Sequence, residues 1–285
     1  MKGPRFSMLS TIGSGLRRFR YYRVIGRIHR LRRLVVLLHG VGERWRRGFR
    51  AAERGRGFPD ELVTGWIGQL RSRSFCVGPA LPGETTEALR DYARKQPCYR
   101  PGIKERFLIS EVRNGHTPRG APVAVADVVN PPGCPQVSEI VRNPLLAEMA
   151  QRYLGYRPRR SVARLFWSPV SRLSDDTRRA AGQTLDFHYD IDACNSFYVY
   201  FYLEGGGPSS GAHVVVEGSH GPKPLRMVAG SCFQTEEAVL KAYGADKVTV
   251  VAGHPGFCFF EDPACFHKVL APTEAPRLLM QIRYS

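Results

Sequence analysis

The last hundred residues alternate on a two-residue beat. LDFHYDID, FYVYFYLE, AHVVVEGS, KVTVVAG, FCFFED and RLLMQIRY are short runs rich in β-branched and aromatic residues, divided by glycine and proline clusters such as GGGPSSG and GHPG. Each run predicts a strand. One helical pattern interrupts them, TEEAVLKAYG from Thr235 to Gly244. Many short strands with turn-rich joints predict a mainly β fold with flanking helices, a sandwich or jelly-roll barrel. Upstream, VRNPLLAEMAQRYL (Val141 to Leu154) carries Leu145, Leu146, Met149 and Tyr153 at helical spacing, and SVARLFWSPV (Ser161 to Val170) reads as a strand. Residues 58 to 135 show no regular beat. Near the start, Tyr21, Ile25, Ile28, Leu31, Val35 and Leu38 recur at three- or four-residue steps, with Arg17, Arg20, Arg23, Arg27, Arg30 and Arg33 largely off that stripe. That is a basic amphipathic helix over residues 16 to 38. Gly40, Gly42, Gly48, Gly55 and Gly57 then mark a linker. The chain thus divides into a basic segment, 1–57, and a barrel domain, 58–285.

Charge sharpens that division. The 285 residues carry a net charge of +17, and residues 1 to 57 hold sixteen basic residues against only Glu43 and Glu53. The remaining 228 residues hold 26 basic and 23 acidic side chains, so the body is near neutral. It offers no extended cationic groove, and no nucleic-acid partner is expected. The arginine-rich helix suits an anionic membrane interface, where guanidinium groups meet phosphate headgroups. It also fits a helix docked on the body with its arginines solvated, and it shares the acid-poor character of a transit peptide. The longest aliphatic run, Leu34 to Leu38, is far short of the roughly 20 residues a spanning helix needs. Seven cysteines at irregular spacing, without a CxxC, predict free thiols in a reducing compartment such as the cytoplasm.

The candidate chemistry lies in LDFHYDID. Residues two apart on a strand face the same way, so Asp186, His188, Asp190 and Asp192 are expected on one face. His188 and Asp190, as H-x-D, offer an imidazole and a carboxylate side by side. A second imidazole from a distant strand would complete a two-His-one-carboxylate face, which holds Fe(II) and leaves open positions. His213, His220, His254 and His267 are the downstream candidates. Arg277 opens the last run, where an inward guanidinium can pair bidentately with a carboxylate.

FHYDID, FYVYFYLEGGGPSSGAHVVVEGSHG and GHPGFCFFEDPACFHKVLAPTEAPRLLMQIRY, in that order, resemble the phytanoyl-CoA dioxygenase family of Fe(II)/2-oxoglutarate oxygenases over about residues 140 to 285. The resemblance implies a double-stranded β-helix and assigns His188, Asp190 and His267 to iron. It assigns Arg277 to the far carboxylate of 2-oxoglutarate, with Arg283 in R-Y-S as the rival anchor. Asp192 replaces Asp190 only if the strand shifts register, and His213 and His220 are expected beside the ligands rather than among them. The implied reaction consumes O₂ and 2-oxoglutarate and hydroxylates an unactivated C–H bond. Relatives that halogenate lack the carboxylate, so Asp190 argues for a hydroxylase. The substrate is expected to be a small or lipid-linked molecule, acidic or membrane-borne, such as a lipopolysaccharide sugar or an acyl thioester. A barrel that has lost its chemistry and only binds is the rival reading.

Overall fold

Hydrophobic residues on both faces of FYVYFYLE mark it as a strand covered on two sides. In the computed structural model, which describes residues 27–34, 36–38, 59–191 and 193–285, it is central to the larger of two antiparallel sheets. The strands in chain order are β1 (Phe75–Val77), β2 (Cys98–Tyr99), β3 (Ala126–Val128), β4 (Ser161–Ser168), β5 (Phe197–Glu204), β6 (His213–Val216), β7 (Val248–Val251), β8 (Cys258–Glu261), β9 (His267–Val269) and β10 (Arg277–Tyr284). Seven of them pair in the order β1-β8-β5-β10-β4-β3-β2, and β7-β6-β9 form the second sheet.

Parity decides what each face does. Phe197, Val199, Phe201 and Leu203 of β5, with Leu278, Met280 and Ile282 of β10, pack under four helices. These are α1 (Asp60–Arg73), α2 (Gly83–Lys95), α3 (Pro135–Val141) and α4 (Pro144–Leu154). Tyr198, Tyr200 and Tyr202 point the other way and cluster with Leu279, Phe166 and Phe259, and with Val215 and Val251 of the small sheet. Two facing sheets with helices on one outer face make the expected jelly roll.

The patterns also miss in places. Neither α1 nor α2 was expected, although each carries acidic residues at its start and basic residues at its end, Asp60 and Glu61 against Arg71 and Arg73 in α1 and Glu84 against Arg94 and Lys95 in α2. The helix expected from Val141 begins three residues later, at Pro144. Asn143 accepts a hydrogen bond from the Leu145 N–H and Pro144 takes the first helical position, so α4 starts there. LDFHYDID is not a ladder strand. Phe187 and His188 make single bridges, to Gln234 and His267. The TEEAVLKAYG helix runs Glu236–Tyr243, capped by Thr235.

Residues 29–34 and 36–38 are helical, while Tyr21, Ile25, Val35 and the glycine linker lie outside the described residues. The helix docks by its polar side. Arg32 is buried and donates to both oxygens of Asp262 (3.2 and 3.1 Å) and to the His220 carbonyl (3.1 Å). Arg27 donates to the carbonyls of Val228 and Gly230. Ile28, Leu31 and Leu38 of the expected apolar stripe are exposed, as are Leu34 and Leu37. No helix among the described residues is long and apolar enough to cross a membrane.

Candidate metal centre

His188 and His267 face each other across an antiparallel bridge, each backbone N–H donating to the other's carbonyl (2.9 and 2.8 Å). Directly opposed residues share a face of the ladder. Their rings therefore sit side by side, with centroids 4.3 Å apart. Asp190 is placed by its own N–H, which donates to the Pro263 carbonyl (2.8 Å). Its carboxylate oxygens then lie 3.7 Å from His188 Nε2 and 3.9 Å from His267 Nε2. The three donor atoms fall within 4.8 Å of one another, close enough to share one ion.

Both imidazoles are turned for ligation. His188 Nδ1 lies 3.1 Å from the Asp186 carbonyl, and His267 Nδ1 lies 3.1 Å from the Cys265 carbonyl. A proton on Nδ1 satisfies each bond and directs the Nε2 lone pair toward Asp190. Burial above all pushes His267 down to about 3, which favours the neutral, ligating form. Phe233 stacks on the far side of His188, centroids 5.1 Å apart.

A second set, His213, Glu261 and His267, shares one of these rings. His213 Nε2 and Glu261 Oε2 stand 2.9 Å apart but out of line for a hydrogen bond, so both atoms are left without one. Glu261 Oε1 is 3.2 Å from His267 Nδ1 and accepts from the Cys265 thiol. Burial raises the Glu261 carboxyl and lowers the His213 imidazole, so both are driven toward their neutral forms. His188, Asp190, His213 and His267 all line a cavity of about 150 Å³, whereas Glu261 does not. The set that includes Asp190 is therefore the one from which a bound ion could reach a small molecule. Glu261 braces His267 from behind. Sequence reasoning passed over it, though the first acid of the aromatic run FCFFED, two residues from Phe259 and so on its face, was the available signal.

Arg277 lines the same cavity. It is 2% exposed, and its terminal nitrogens donate to the Gly211 carbonyl (2.5 Å) and the Ser168 hydroxyl (3.2 Å). Its Nε is buried without a partner, and no carboxylate pairs with it among the described residues. A buried guanidinium with neutral neighbours favours an anion. Arg283 shares that inward face six residues along β10, roughly 20 Å at about 3.4 Å per residue. It is half-buried and bonds Gln281. The other candidates lie elsewhere. Asp186 pairs with Arg179 at the surface, His220 bonds Ser74 and His254 is in an exposed turn. Asp192 lies outside the described residues.

No protein-family model matches the sequence, and no curated protein matches it. Solved structures do match. The chain is similar to the non-heme alpha-ketoglutarate-dependent epimerase SnoN from nogalamycin biosynthesis, with a TM-score of 0.56 and 16% identity over 79% of this chain and 84% of that one. EvdO2 from Micromonospora carbonacea var. aurantiaca, complexed with 2-oxoglutarate, gives 0.53 and 18% over 80% and 91%. EctD from S. alaskensis, with 2-oxoglutarate and 5-hydroxyectoine, gives 0.52 and 13% over 83% and 79%. The fold is the jelly roll of these enzymes. At such identities the likeness is one of fold, and a shared fold does not fix the chemistry.

Proposed function

We propose that the protein is an Fe(II)- and 2-oxoglutarate-dependent oxygenase of the phytanoyl-CoA dioxygenase type, and specifically a hydroxylase. The carrying observation is the convergence of two Nε2 atoms and one carboxylate within 4.8 Å, at a cavity that also holds an unpaired buried guanidinium. His188, Asp190 and His267 would hold the iron, a ligand set that suits Fe(II) and leaves positions open. Arg277 would take the distal carboxylate of 2-oxoglutarate, which fits its depth and its lack of a carboxylate partner. When bound, iron and 2-oxoglutarate supply the oxidising power by which O₂ reaches an unactivated C–H bond. The chain's own residues do the positioning. Glu261 and the Cys265 carbonyl keep His267 oriented. Phe166, Leu279, Val125 and Val269 wall the cavity with apolar groups and limit water. Asp190 would fill the ligand position that halogenating relatives leave to a halide, which favours hydroxylation.

The test is anaerobic addition of Fe(II) and 2-oxoglutarate. A weak visible charge-transfer band is expected from the wild type and is lost in His188→Ala and His267→Ala. A wild type without the band leaves a barrel that only binds, and a variant that keeps it sinks the assignment of that histidine to the metal.

We also propose that the basic N-terminal helix seats the protein on an anionic membrane surface. Two features support this: Leu31, Leu34 and Leu38 form an exposed apolar stripe, and Arg30 and Arg33 flank it.

A further inference from the structure

A cavity of about 780 Å³ lies beside the metal pocket, on the same inner face of the seven-stranded sheet. Arg164 and Arg283 belong to the walls of both, so the two spaces meet there. The register explains why they adjoin. Tyr200, Gln281 and Arg164 stand abreast on β5, β10 and β4 in the metal pocket, and two residues on, Tyr198, Arg283 and Val162 stand abreast in the larger cavity.

Four guanidinium groups line this second space, those of Arg106, Arg160, Arg164 and Arg283, against one acidic side chain, Asp127. Asp127 is already committed, because Arg164 donates to both of its oxygens. Arg106 lies 5.0 Å over the Tyr99 ring, with no carboxylate partner among the described residues. Arg160 makes no side-chain hydrogen bond or ion pair with a described residue. Like charges gathered in a concave site repel, and a bound anion relieves that cost. Guanidinium forks also match the oxygens of phosphates and carboxylates. The volume suits an organic molecule of ordinary metabolite size.

Resting on the oxygenase reading of the neighbouring pocket, we propose that its substrate is an organic anion. Its phosphate or carboxylate group is held at the outer arginines, Arg106 and Arg160. Its reacting carbon passes between Arg164 and Arg283 toward His188, Asp190 and His267. Arg277 lies on the far side of the metal pocket and keeps its separate task.

The test uses the full-length, iron-free protein, so that it does not depend on the metal. Pyrophosphate and tricarballylate serve as the phosphate and carboxylate probes in isothermal titration calorimetry. At least one is expected to bind, and the tighter of the two tells which anion the site takes. Arg106→Ser with Arg160→Ser should weaken that probe at least tenfold, while 2-oxoglutarate with Fe(II) binds the double variant as it binds wild type. Both side chains are exposed, so the fold should tolerate the change. No binding of either probe overturns the proposal. So does unchanged affinity in the double variant, which would place the anion on the basic N-terminal segment instead. Failure of the oxygenase reading looks different: the wild type would lack the charge-transfer band while still binding the probe.

Discussion

Arg277 is a buried cation with no carboxylate partner among the described residues. Its two terminal hydrogen bonds go to a carbonyl and a hydroxyl, and burial above all, with the like charge of Arg164, lowers its pKa. A dicarboxylate with one end on the metal would supply the opposite charge. Arg277→Ala should therefore raise the 2-oxoglutarate concentration needed for half-maximal band intensity by tenfold or more and leave Fe(II) affinity unchanged. The same requirement in variant and wild type would move the anchor to Arg283. The thiols give a second residue-level outcome. All seven cysteines are free, and six are buried; burial pushes Cys76 and Cys98 up to about 12. Native protein should show one fast-reacting thiol with an aromatic disulfide reagent, that of half-buried Cys232, and seven after denaturation.

Alternation along β10 separates stability from chemistry. Arg277, Leu279, Gln281 and Arg283 face the cavities, while Leu278, Met280 and Ile282 face the helices. Ile282 is fully buried between Ala163 and Val199. Ile282→Ala should cost about 2–5 kcal/mol in denaturant unfolding, with Fe(II) affinity unchanged in the folded protein. A loss of metal at full stability would mean that β10 is not positioned as described. This strand was legible because its beat is local, as was that of β5. His188 was legible as chemistry but not as structure. Its bridge partner is on a distant segment, and no local period reports a single bridge. Glu261 was hidden for a related reason: its role depends on His213 and His267 arriving from other strands. Helix α2 was missed because its inward positions include Thr86 and Ala93 and break the apolar stripe, whereas α1 buries Val63, Ile67 and Leu70 at helical spacing, a signal that was there to be read. The Arg32–Asp262 pair, 230 residues apart, leaves no local trace at all.

At the scale of the whole molecule, that pair fixes which side of the N-terminal helix meets water. Asp262 is fully buried and also accepts from Tyr153 (2.5 Å) and the Ala264 N–H (2.9 Å). Burial alone would raise its pKa, but Arg32 and these donors hold it below the ordinary carboxylate value. Its stabilising contribution is thus complete above about pH 4 and is lost as pH falls through the depressed folded value. Arg32→Met leaves that carboxylate buried without its cation and should cost about 3–5 kcal/mol, read by thermal or denaturant unfolding at neutral pH. With Arg32 turned inward, Leu31, Leu34 and Leu38 are 40%, 50% and 63% exposed, beside Arg30 and Arg33. Such a face is unfavourable in water and favourable at an anionic lipid surface, where apolar burial and charge attraction add. Full-length protein should co-sediment with phosphatidylglycerol vesicles, less so as salt rises and hardly at all with phosphatidylcholine. Leu34→Glu with Leu38→Glu should lower that binding tenfold or more, without the unfolding penalty of Arg32→Met, since neither leucine touches the Asp262 socket. Equal binding by the double variant would show that the stripe is not the surface that meets the bilayer.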